Sequence, residues 1–286
     1  MSILCVENLC KAYPGFCLKD VSFRLEKGHI MGFIGRNGAG KTTTIKSILG
    51  LCHPDSGMVY YFQNDFADAE EAIKQRIGYA SGANSYYKKK KLKEIVAVTK
   101  LFYKNWDDKT WKHYLEVFAL DENKRPEQLS EGMKVKFNLA LALSHGAELL
   151  ILDEPTSGLD PVSRNELLEV FLTLAKENVT ILFSTHIISD LEKCAEDITY
   201  IKQGRILFTG KEVELLGDFA LIHGENLSQT QKEAVIGHCM NKDGDTWLIS
   251  KEKAGLFAGT QILQPSLEEI MIHLEGGNEL DEKSDS

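Results

Sequence analysis

The run His29-Ile-Met-Gly-Phe-Ile-Gly-Arg-Asn-Gly-Ala-Gly-Lys-Thr42 passes from apolar residues straight into a glycine cluster. Its first six residues read as a short strand buried in a parallel sheet. The remainder, Gly35 to Thr42, is a complete G-x-x-x-x-G-K-[ST] match, and a helix is expected over Thr43 to Leu51. Backbone N–H groups of such a loop, and of the helix N-terminus after it, can wrap a polyphosphate. Gly35, Gly38 and Gly40 keep side chains out of that approach, with Asn37 and Ala39 between them. Lys41 would neutralise the outer phosphates, Thr42 would give a hydroxyl to Mg²⁺, and Thr43 would add to the amide cradle.

Two further apolar runs, Leu149 to Leu152 and Val179 to Phe183, are short and continuous, as buried parallel strands are. The first ends in Asp153-Glu154. Two carboxylates there suit a pair of tasks: Asp153 in the Mg²⁺ shell, Glu154 polarising the attacking water. A solvated acidic turn is the alternative for the pair taken alone. Between the strands lie helical patterns: Trp111, Tyr114, Leu115 and Phe118 follow Asp107-Asp108, and Leu167, Val170, Phe171 and Leu174 follow Asp160-Pro161. Strands alternating with helices make an α/β domain around a parallel sheet. Ile3 to Leu9 and Val21 to Leu25 read as extra, antiparallel strands.

Composition narrows the class. The 286 residues are 43% hydrophobic, enough for a sizeable core without disulfides or a structural metal. Lys and Arg total 33 against 42 Asp and Glu, a net charge of −9, which argues against wholesale nucleic-acid binding. No apolar run approaches the roughly 18 residues of a spanning helix, and the first residues do not read as a secretory signal. Six cysteines with no CxxC pair read as reduced, mostly buried small side chains. Cys52, His53, His113 and His145 lack ligand spacing, so no metal beyond Mg²⁺ is expected.

Further motifs separate the families that share the phosphate loop. Leu129-Ser-Glu-Gly-Met133 precedes the Asp153 strand and resembles the LSGGQ signature of ABC-type ATPases. Ser157-Gly-Leu-Asp160 resembles that family's D-loop, and His186, in Phe183-Ser-Thr-His186, its switch histidine. Tyr13, in Lys11-Ala-Tyr-Pro-Gly15, matches its adenine-stacking aromatic; alone it would read as an edge or core tyrosine. The agreement spans about residues 1 to 215 and is similar to the nucleotide-binding subunit of a bacterial ABC transporter. Phe102-Tyr-Lys-Asn-Trp106 and Gly132-Met-Lys134 resemble subunits of the drug- and peptide-export type more narrowly.

The resemblance implies a P-loop NTPase with a RecA-like α/β core, an antiparallel β flank and a helical insertion near 84–140. A small C-terminal α/β appendage over 216–274 and a disordered acidic tail over 275–286 complete the expected organisation. It implies ATP and Mg²⁺ as ligands and a head-to-tail homodimer or heterodimer. Ser130 and Gly132 would meet the γ-phosphate held by a second subunit, Asp160 would help join the protomers, and His186 would bond the phosphate of its own subunit. The implied partner is an integral membrane permease, which holds the chain at the cytoplasmic face of the membrane; no nucleic acid is expected.

Two departures stand out. The glutamine usual after Ile77-Gly-Tyr79 is absent, leaving Ser81 or Asn84 as approximate substitutes around Gly82. The signature carries Glu131 and Met133 where glycine and glutamine are commonest, and Glu131 is expected to face solvent. The run Lys88-Lys-Lys-Lys-Leu-Lys93 reads either as a solvated helix start or as a face toward acidic permease loops or anionic lipid. Two other classes remain open: a soluble ABC ATPase acting on ribosomes or DNA, and a weakly hydrolysing nucleotide-dependent regulator.

Overall fold

The computed structural model describes residues 1–81, 87–224, 227–241 and 244–276. It contains two compact units, Met1–Thr209 and the residues from Gly210 onward. Gly82 and Asn84, and the acidic tail beyond Gly276, lie outside the described residues.

The N-terminal unit opens with β1 (Ser2–Tyr13) and β2 (Phe16–Glu26), an antiparallel hairpin closed by the Tyr13–Phe16 pair around Pro14 and Gly15. With β4 (Ser56–Tyr61) and β5 (Asn64–Asp65), which follow β3 (Ile30–Ile34), they form a sheet of order β2-β1-β4-β5. β1 is longer than the expected Ile3 to Leu9. Its register against β2 shifts between Val6 and Leu9 and again before Lys11, and such bulges break the alternation that marks a strand in sequence.

The second sheet adds β6 (Ile77–Ser81), β7 (Leu149–Asp153), β8 (Thr180–Thr185), β9 (Asp197–Lys202) and β10 (Arg205–Lys211) to β3, in the order β10-β9-β3-β8-β7-β6. The pairs from β9 through β6 are all parallel. Every residue of β3, β7 and β8 is buried, which is why their apolar residues run together without polar alternation. Each Leu, Ile or Phe so enclosed contributes about 1.5–3 kcal/mol by leaving water. Parallel pairing brings the carboxyl ends of β3, β7 and β8 to one edge of the sheet, the edge where open α/β sheets bind ligands.

The helices are α1 (Lys41–Ile48), α2 (Phe66–Lys74), α3 (Leu92–Thr99), α4 (Asp108–Val117), α5 (Glu131–Ser144), α6 (Pro161–Lys176) and α7 (Ile188–Cys194). Asp107 caps α4, its carboxylate accepting from the N–H groups of Lys109 and Thr110; Asp160 caps α6 in the same way from Val162 and Ser163. Among the described residues, helices α3 to α5 lie between β6 and β7. No described helix is long and apolar enough to cross a membrane.

In the C-terminal unit, α8 (Glu212–Asp218) precedes a sheet of β11 (Phe219–His223), β12 (Val235–Asn241), β13 (Gly244–Ser250) and β14 (Ile262–Leu263), in the order β12-β13-β11-β14. The β12–β13, β13–β11 and β11–β14 pairs are antiparallel. The short α9 (Gln229–Lys232) precedes β12, and α10 (Leu267–Gly276) buries Leu267, Ile270, Met271 and His273. Glu275 and Gly276 complete α10, although acidic composition reads as disorder from Glu275. The six cysteines are free, and only Cys194 is buried; the other five are half-buried, correcting the expectation of mostly buried thiols. Cys5, Cys10 and Cys17 sit on β1 and β2, and Cys52 sits in the loop after α1, all four half-buried.

Candidate functional site

The glycine loop leaves β3 and turns into α1 at Gly40, whose φ of 118° is closed to most side chains. A Cβ there would lie 2.7 Å from Leu18 and 3.0 Å from the Phe16 ring. At Gly35 the constraint is contact: a Cβ would meet the Ile201 carbonyl oxygen at 2.3 Å. The loop can therefore take this path only with glycine at both positions. The N-terminal amides of α1 are left for a ligand, since their helix has no preceding turn to accept them.

Lys41 Nζ donates to the carbonyl oxygens of Gly35 (2.6 Å) and Arg36 (3.3 Å) and pairs with Glu154 Oε1 at 3.1 Å. Its side chain is only 5% exposed, so these partners hold it in an enclosed position. Glu154 follows β7 with φ 51°, a left-handed conformation uncommon outside glycine, asparagine and aspartate. The turn aims its carboxylate at two partners, for Oε2 also lies 2.8 Å from His186 Nδ1. One carboxylate thus bridges the lysine of the glycine loop and the histidine at the end of β8.

Ser184 fixes the ends of β7 and β8 together. Its hydroxyl donates to Asp153 Oδ1 at 2.7 Å and accepts from the Glu154 N–H at 2.9 Å. The register pairs Asp153 with Ser184, so the contact follows directly from the parallel ladder. Ser184 was not singled out in the sequence, where it reads as one more strand residue; its position two before His186 was the available signal. Ser81, the substitute near the absent glutamine, ends β6 and pairs in register with Asp153.

Asn37, Gly38, Gly40, Lys41, Thr42, Thr43, Glu154 and His186 all line one cavity of about 570 Å³, within the range of small-molecule sites. Gly15, Phe16, Arg36 and Ser157 line it too; of these only Phe16 lies outside the motifs quoted from the sequence. Gly35 and Ala39 lie beneath: Gly35 supplies the carbonyl that holds Lys41, and Ala39 is buried with its N–H donated to Arg36. Tyr13 does not line the cavity. It is 44% exposed beside it, paired across the hairpin with Phe16, and its hydroxyl lies 2.8 Å from the Cys52 thiol.

Ser130, Gly132 and Asp160 stand outside this cavity but near one another. Ser130 caps α5 by accepting from the Met133 N–H, and a Cβ at Gly132 would sit 3.6 Å from Leu159 and 3.8 Å from Ser163. Asp160 accepts from two N–H groups and the Ser163 hydroxyl, which hold its carboxyl below the usual range. Glu131 is exposed and pairs with Lys134 at 2.6 Å, facing solvent as expected.

A family model described as "ABC transporter" matches residues 18–157. The chain is 37% identical over 210 residues to the bacitracin transport ATP-binding protein BcrA of Bacillus licheniformis, covering 72% of this chain and 69% of BcrA. It is 32% identical over 203 residues to the ABC transporter ATP-binding protein YtrB of Bacillus subtilis, covering 70% of this chain and 69% of YtrB. A solved structure described as the ATP binding subunit of an ABC transporter matches with a TM-score of 0.68 at 29% identity, over 75% of this chain and 92% of that one. A glycine loop, paired carboxylates and a histidine meet at one sheet edge, on a fold shared with these proteins. The chain belongs to the ATP-binding proteins of ABC transporters and is an ATPase on the P-loop cassette fold.

Proposed function

We propose that the chain is the ATP-hydrolysing subunit of an exporter and powers a separate integral membrane permease from the cytoplasmic face. The observation that carries the catalytic part is the Glu154 bridge to Lys41 and His186 at the mouth of the phosphate loop. In this reading the amides of Asn37 to Thr43 and the Lys41 ammonium bind the phosphates, and Tyr13 stacks on the adenine beside Phe16. Glu154 takes the proton of the attacking water, and His186 holds the carboxylate's second oxygen and then the γ-phosphate. Thr42 and Asp153 offer a hydroxyl and a carboxylate, the hard oxygen donors that Mg²⁺ takes, so the donor set fits that ion. Mg²⁺ would supply charge neutralisation on the phosphates.

Ser130, Gly132 and Asp160 do not line the cavity, which supports a dimer in which a second subunit brings its own Ser130 and Gly132 to this nucleotide. A groove of about 570 Å³ between β6, α3 and α5, lined by Tyr79, Val98, Phe102, Tyr103 and Leu141, supports the permease as partner. Exposed Lys88 to Lys91 lie next to it in sequence, so an apolar segment flanked by acids fits the groove. The export direction rests on likeness to BcrA, a bacitracin transport protein. The test is affinity purification of the full chain from its own host. Recovery of a polytopic membrane protein, lost on Phe102→Glu, supports the reading; recovery of ribosomes or DNA instead overturns it.

A further inference from the structure

Asp190 takes no part in the chemistry described above, yet it is buried where three segments of the site meet. It lies in the first turn of α7, four residues after His186, and is 1% exposed. Its Oδ2 accepts from the Thr156 hydroxyl at 2.6 Å, and Thr156 is fully buried two residues after Glu154. Among the described residues its Oδ1 has no hydrogen-bond partner; the nearest cation there is Arg164 Nε at 3.9 Å, on α6 in the turn capped by Asp160, and that Nε is likewise buried without a described hydrogen-bond partner. A short, enclosed hydrogen bond to a carboxylate is among the stronger ones a protein makes. Burial pushes the Asp190 carboxyl up, against the pull of the Thr156 bond and of Arg164 and His186.

Glu154 has a second reason to need such a tie. Its left-handed φ is a strained conformation, which persists only where the surroundings over-determine it. Ser184 fixes the backbone on the β7 side of Glu154. On the other side, Thr156 is the side chain with a hydrogen bond to the element that carries on from His186.

We propose that Asp190 is a positioning residue for ATP hydrolysis: through Thr156 it locks the Glu154 turn against the His186 segment, so that the carboxylate is aimed at the attacking water. This rests on the assignment of Glu154 as the base. Phosphate binding by the glycine loop does not depend on the lock, so its loss lowers kcat and spares KM. Misplacing a catalytic group by about an ångström costs up to roughly a hundredfold.

The test is steady-state ATP turnover of the full chain with Thr156→Val, which keeps shape and removes the hydroxyl. The expected result is kcat lower by about tenfold or more, with KM for ATP within about twofold. Thr156→Ser restores most of the rate because it restores the donor. Thr156→Val leaves a buried carboxylate without its hydrogen-bond donor, so Thr156→Val/Asp190→Asn is measured beside it: the amide removes the charge, and the double variant is as slow as Thr156→Val. A wild-type kcat in either valine variant, a serine variant as slow as valine, or a loss that falls on KM instead of kcat overturns the proposal. Glu154→Gln with wild-type turnover, measured in the same series, overturns the assignment of the base instead.

Discussion

Glu154→Gln should raise affinity for ADP as well as stop hydrolysis. Lys41 Nζ lies 3.1 Å from the Glu154 carboxylate, so entering phosphates must compete with it for the same ammonium. At an effective dielectric of about 20, two unit charges at that separation attract by roughly 5 kcal/mol, an upper bound before desolvation is counted. Net contributions of hydrogen bonds to charged groups are nearer 1.5–3 kcal/mol. Lys41 keeps its bonds to the Gly35 and Arg36 carbonyls in the variant, and the glutamine amide oxygen can still accept, so the lower figure applies. About 1.5 kcal/mol corresponds to a roughly tenfold lower Kd. ADP is the ligand of choice because it carries no γ-phosphate to be hydrolysed during the titration. Titration calorimetry of wild type and Glu154→Gln with ADP reads the difference directly. Equal or weaker binding by a variant with unaltered melting would refute the competition between carboxylate and phosphate.

Lys41→Ala should abolish most ATP binding in calorimetry while leaving the fold intact by circular dichroism, since it removes the phosphate-paired cation of an amide nest. Tyr13→Ala should weaken ATP by roughly 1–3 kcal/mol and GTP similarly, because stacking tolerates any base; a stability loss with unchanged nucleotide affinity would make Tyr13 a purely structural residue. In a Glu154→Gln background, ATP should favour a dimer of the chain in size-exclusion chromatography, and Ser130→Arg should abolish it, because the proposed dimer places that side chain against the partner's phosphate. Acid should destabilise the N-terminal unit through His145, buried and stacked on Tyr103, whose pKa burial lowers from 6.5 to about 4. From pH 6.5 down to about 4 the unfolded chain gains a proton that the folded chain refuses, so stability present above pH 6.5 falls by up to about 3 kcal/mol. His145→Gln should flatten that part of the denaturation profile.

Much of the nucleotide site is legible because it is contiguous in sequence. The loop from Gly35 to Thr43 is specified by Gly35 and Gly40, whose Cβ atoms would strike backbone or ring atoms, and by Gly38, whose φ of 83° disfavours any side chain. Asp153 and His186 are legible as strand-end residues because β7 and β8 are buried on both faces and read as apolar runs. What escapes is contact that depends on register. Ser184 looks ordinary until parallel pairing sets it against Asp153, and Thr156 until the turn after β7 packs against α7. Phe16 reaches the cavity only because a tight hairpin turns β2 back under Tyr13. The sheet of the C-terminal unit was also obscure: Gly237 interrupts β12 where the His273 carbonyl packs within 2.1 Å of a would-be Cβ, and its register against β13 shifts there. That interruption blurs the alternation a strand normally shows.

The most direct test of the account is phosphate release from ATP by the purified full chain, measured beside Lys41→Ala and Glu154→Gln at equal folded concentration. The account predicts steady turnover by wild type and background release by both variants, with Glu154→Gln still binding ATP and Lys41→Ala not. Turnover by Glu154→Gln at the wild-type rate, with Lys41→Ala silent, would contradict it by placing the base elsewhere in the cavity.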